Sequence, residues 1–176
     1  MDSQAVQDKY LHSGEFARFV DEDLRRFAEE CVQKALEAME HEANKLNKSK
    51  VTKVKKTQLH SIPAVVQVGG SSKLIELADN QSKKHSKPEN RAFWAWLKLV
   101  VAPQGDEPQG SLPGLIMGHM RGFGFELPDP KEIKERPKRR AQRKENEAVI
   151  SPVKEQVLPI FCEHFLCHYT YIVKEE

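Results

Sequence analysis

Three clusters of residues in this chain have the types and spacing for chemistry. Near the C-terminus, HFLCH sets His164 and His168 four apart with Cys167 beside them, a spacing at which one helix face can offer ligands to Zn²⁺. Phe165 stands where a metalloprotease carries its glutamate base, and no third ligand cluster is visible. A buried thiol and half-exposed imidazoles are therefore the expected state, with no metal. The second cluster, RGFGF from Arg121, has the letters of an RNA-binding strand. Glu126 replaces the aliphatic residue that should follow, Pro128 would end a ladder, and the upstream AVVQVGG has no aromatic partner. The segment is expected to be a glycine loop anchored by Phe123 and Phe125, with Arg121 free to touch RNA. The third cluster is Lys45, Lys48, Lys50, Lys53, Lys55 and Lys56, six lysines with no acid among them. Lysine is a compact point charge, suited to phosphate and unsuited to reading bases.

No phosphate loop, glycine-flanked serine or paired-carboxylate stretch occurs, so neither an enzyme nor a cofactor is expected. The net charge of +2 conceals a segregation. Residues 15–42 hold nine acids and four bases, whereas residues 121–144 hold nine bases and four acids, among them Lys138, Arg139, Arg140 and Arg143. Two basic blocks are thus set against one acidic helix, a distribution that attracts polyphosphate but also arises on solvated faces. The odd set of Cys31, Cys162 and Cys167 points to reduced thiols. No run nears the roughly 18 apolar residues of a membrane span, and the N-terminus lacks the blocks of a signal peptide. A cytoplasmic protein is expected.

The elements that must position these residues read as helices. Phe16, Val20, Leu24, Phe27, Cys31, Ala35, Met39, Ala43 and Leu46 recur every three or four positions, predicting one amphipathic helix capped by Ser13. At about 45 Å it is longer than a domain of this size needs, so it should also meet a partner. Phe16, Phe19 and the second indole, Trp96, are the expected partner-facing residues. Thr52 should cap a helix that Pro63 disturbs, GGSS should break the chain, and Ser72 should start a short helix. Pro88 should open the central core helix through Phe93, Trp94, Leu97, Val100 and Val101. Between Pro103 and Pro128, four prolines and six glycines predict a loop. Asp129 should then cap a basic helix that Pro137 interrupts, leaving a basic arm, and Ser151 should open the C-terminal helix.

The fold class is therefore all-α: a small helical bundle with a long N-terminal amphipathic helix and a Pro/Gly-rich loop. The expected organisation is a flexible N-terminus over 1–12 and the first part of a helical domain over 13–102. The Pro/Gly loop and basic arm fill 103–150, and a helix over 151–176 packs on the same domain.

KKTQLHSI, Lys55 to Ile62, resembles the Ser/Thr-Gln-Leu-Arg helix start of the small helical subunit of type III CRISPR effector complexes. FCEHFLCHYTYIVKEE is similar to that family's aromatic-rich C-terminal helix. The resemblance implies a non-catalytic, cytoplasmic bundle in an antiviral ribonucleoprotein, contacting the backbones of guide and target RNA and neighbouring subunits. Thr57 and Gln58 match the motif and Leu59 is its core residue. His60 stands where the family has arginine, which removes a guanidinium charge, and the acidic first helix and Pro/Gly loop are additions. The residues expected at the RNA backbone are Lys48, Lys50, Lys53, Lys55, Lys56, Gln58, His60, Arg121, Lys138, Arg139, Arg140 and Arg143. The alternative is a protein-interaction adaptor that uses the long first helix and carries its basic stretches as solvated linkers.

Overall fold

The computed structural model describes residues 3–103 and 110–175. Ser13 starts the long helical run as its sequence predicts: its backbone is extended and its Oγ accepts the Phe16 N–H at 3.1 Å. The run passes from α2 (Gly14–Arg18) through a π turn (Phe19–Asp23) into α3 (Leu24–Lys45). The π turn bonds Leu24 N–H to the Phe19 carbonyl, five residues back, and both side chains face inward. Leu24, Phe27, Cys31, Val32, Ala35 and Met39 continue the buried face. α5 (Pro88–Val101) and α7 (Arg136–Glu175) of the same chain cover it.

The residues expected to face a partner all meet rings of the same chain. Phe19 is buried and stacks on His119 with ring centroids 4.4 Å apart. Trp96 is half-buried and stacks on Phe165 at 5.7 Å, and Phe16 is half-buried against Tyr10 at 5.1 Å. Internal aromatic partners occupy all three rings. The N-terminus is likewise more than a flexible lead: α1 (Ser3–Leu11) carries the fully buried Tyr10, whose hydroxyl lies 2.7 Å from His119 Nδ1.

Past the end of α3, Asn47 takes a positive φ of 55° that lets the Lys48 N–H return to the Ala43 carbonyl. A helix-free strap, 46–55, follows, and α4 (Lys56–Lys84) begins three residues later than Thr52 capping predicts. The reason lies in distant partners, since the N–H groups of Thr52 and Val54 bond to Glu89 and Tyr169 instead of serving a helix. Pro63 is tolerated on the exposed side. The expected break falls at Gly70, with φ 65° and ψ −152°. The limbs 56–69 and 71–84 fold back on each other, since Gln58 and His85 meet at 3.1 Å, whereas a straight helix would part them by about 40 Å. Glu155 of α7 closes the corner by accepting the Ser71 N–H and hydroxyl. A Cβ on Gly70 would collide with that carboxylate.

α5 matches its expectation, with Pro88 in the first turn and Phe93, Trp94, Leu97, Val100 and Val101 buried. The Pro/Gly segment does not. Residues 104–109 lie outside the described set, but α6 (Leu112–Phe123) is a helix whose cap Ser111 accepts the Gly114 N–H at 3.2 Å. Leu112, Ile116, Met117 and Met120 make a buried stripe at helical spacing, and their burial outweighs the low helix propensity of the glycines. RGFGF is the last turn of this helix, with Gly124 at φ 125° and the Phe125 N–H bonded to the Met120 carbonyl. Phe123 and Phe125 set their edges against Tyr10.

Asp129 caps only a single 3₁₀ turn, Pro130–Glu132. The basic arm and the C-terminal helix are one element, α7, so the expected boundary between 150 and 151 falls inside a helix. Pro137 sits in its first turn, where the missing N–H has no partner to lose. Pro152 and Pro159 lack the N–H that would bond the carbonyls of Ala148 and Glu155, both of them exposed residues. Among the described residues there is no strand, and no helix is long and apolar enough to cross a membrane.

Candidate nucleic-acid interface

The strap owes its course to two internal side chains. Glu89, in the first turn of α5 and fully buried, receives Lys48 Nζ at 3.0 Å and the Thr52 N–H at 3.4 Å. The Tyr169 hydroxyl of α7 accepts the Val54 N–H at 3.3 Å. Burial alone would raise the Glu89 carboxyl above its ordinary range. Its own amide, Lys48 and the Thr52 N–H outweigh that and hold it below. Lys48 is therefore an anchor, while Lys50, Lys55, Lys56 and His60 are exposed and Lys53 is half-buried.

The fold-back at Gly70 delivers a second basic segment to this strap. The Gln58 amide lies against His85, and Arg91 Nη1 donates to the His85 carbonyl at 2.7 Å. His85 Nδ1 accepts the Lys87 N–H at 3.0 Å, which leaves Nε2 to carry the proton and face Gln58 Oε1 at 3.3 Å. Burial, then repulsion from Arg91, Lys55 and Lys87, pushes the imidazole below its usual value, which favours the neutral ring. It organises the turn, braced by Arg91, while Lys55 and Lys87 beside it are exposed. Together 45–60 and 80–91 carry ten lysines and arginines against a single acid, Glu89. His85, Lys87 and Arg91 were absent from the expected site; KKHSK was a legible basic run, but its place beside Gln58 was not.

The other expected residues lie elsewhere. Lys138 pairs with Glu135 at 3.3 Å, Arg139 donates to the Ile133 carbonyl at 3.1 Å, and Arg140 is exposed. All are on the N-terminal half of α7, and the helix between Arg143 and Tyr169 rises about 40 Å. Arg121, whose Nε donates to the Leu127 carbonyl at 2.7 Å, and Arg143 line one cleft of about 660 Å³ with Lys34, Asn146 and Lys154. The expected RNA set thus separates into a strap patch and an α7 region.

HFLCH is not drawn together. His164 Nε2 lies 3.3 Å from the Val20 carbonyl, Cys167 is exposed, and Cys162 is buried, its thiol pushed up to about 12 by burial. Among the described residues, no group of three or more His, Cys, Asp or Glu could hold a metal ion. Compared with known proteins, the chain matches no family model, no curated protein and no solved structure.

Proposed function

We propose that the chain is a non-catalytic helical subunit that holds the sugar-phosphate backbone of RNA within a larger nucleoprotein assembly of the type III CRISPR kind. The strap and the 83–91 turn are the principal contact, and the basic half of α7 is a second. The observation that carries this reading is the convergence of two basic segments on one patch, where Glu89 is buried against Lys48 and the acids at the edges, Glu42 and Asp79, pair only Lys45 and, with Lys98, Lys83. Such a patch attracts phosphate without reading sequence. Thr57 and Gln58, the residues that match the helix-start motif, sit at its edge. The adaptor reading has less support, because the apolar face of its long helix is covered by α5 and α7.

The test is binding of a single-stranded RNA as a function of salt. Replacing Lys55, Lys56 and Lys87 by alanine should weaken binding and flatten the slope of log affinity against log salt by about 2, at roughly 0.7 counterion per phosphate contact. Wild-type affinity and slope in that variant would sink the RNA reading.

A further inference from the structure

We infer that Glu89 and Tyr169 are positioning residues for the basic patch, holding the strap in its binding shape without touching the nucleic acid. The inference rests on the RNA reading above and deepens it. A free ten-residue segment between two helices samples many conformations, and ordering it would cost affinity at the moment of binding. This one is tied at three places: Lys48 Nζ and the Thr52 N–H to Glu89, and the Val54 N–H to the Tyr169 hydroxyl. Between and after these ties stand Lys50, Lys53 and Lys55. Glu89 itself is fixed in the first turn of α5, where its charge faces the positive end of the helix. Arg91, two residues on, braces the His85 turn, so one short stretch of α5 sets both halves of the patch.

The sign of the effect separates positioning from charge. Glu89→Gln removes a negative charge from the middle of the patch, so simple electrostatics requires tighter RNA binding. Positioning requires weaker binding, by about three- to tenfold, as expected when a preorganised segment must be ordered on binding. Tyr169→Phe leaves charge unchanged and removes only the hydroxyl; it should also weaken binding, with faster hydrogen exchange at the Val54 amide. Each variant is assayed where circular dichroism shows it fully folded, with the Lys55, Lys56, Lys87 alanine variant in parallel. Loss of binding in that alanine variant together with wild-type or tighter binding in Glu89→Gln overturns the positioning role and leaves the RNA reading intact. If Glu89→Gln does not fold, Tyr169→Phe decides: unchanged affinity and unchanged Val54 exchange overturn the inference. If the alanine variant binds like wild type, the RNA reading falls and the positioning role falls with it.

Discussion

At the scale of single residues, His85 and His119 make the same demand on pH. Burial comes first among the causes that hold each imidazole below its ordinary value; at His119, Asp23 and Glu15 oppose it incompletely. The folded chain therefore binds fewer protons than the unfolded one once the pH falls below about 6.5, the unperturbed imidazole value. The stability these groups contribute is present above that pH and is lost as the pH falls towards their folded values. The melting temperature should drop between pH 7.5 and 5.5, and a His85→Gln, His119→Gln double variant should show a smaller drop. Asp79 and Glu89, whose carboxyls are held low, act in a more acidic window, below their unfolded values near pH 4. Gly70 is the other decisive residue. Alanine there meets both a positive φ and the Glu155 carboxylate, so Gly70→Ala should cost about 1 to 3 kcal/mol in urea unfolding.

At the scale of elements, the chain's glycines divide by their backbone. Gly118 lies inside α6, exposed, with open space where a Cβ would stand. Gly118→Ala should stabilise the protein by about 0.5 to 1 kcal/mol, the helix propensity difference, whereas in a flexible loop it would change little. The same urea measurement therefore distinguishes the helix from the loop that composition suggested. α7 is held by aromatic packing: Phe165 meets Phe93, Trp96, Phe161 and Tyr169. Phe165→Ala should cost about 3 to 5 kcal/mol, as large-to-small changes in a core do. A variant that unfolds like wild type would remove Phe165 from the core.

At the scale of the whole molecule, the separation of the two basic regions along α7 makes their contributions to binding depend on ligand length. A short RNA oligonucleotide should feel the strap patch and be indifferent to alanine at Lys138, Arg140 and Lys144. A long RNA that reaches both regions should lose affinity in either variant, because the second contact acts at a high effective concentration. Equal sensitivity of short and long RNA to the α7 variant would mean one continuous site. The helical class, the Ser13 cap, the Pro88 start, the core face of α5 and the break at GG were all legible in the sequence. Each is set by residues within a turn or two of one another, where cap chemistry, proline geometry and the 3.6-residue period act directly. Composition misled at 110–124 and at 136–150, where partners brought from far along the chain bury α6 and continue α7 past its prolines. The convergence of His85, Lys87 and Arg91 on the strap, and the ties from Glu89 and Tyr169, depended on the tertiary structure alone. Those contacts join residues from 27 to 115 positions apart, and only the fold-back at Gly70 and the docking of α7 bring them within bonding distance.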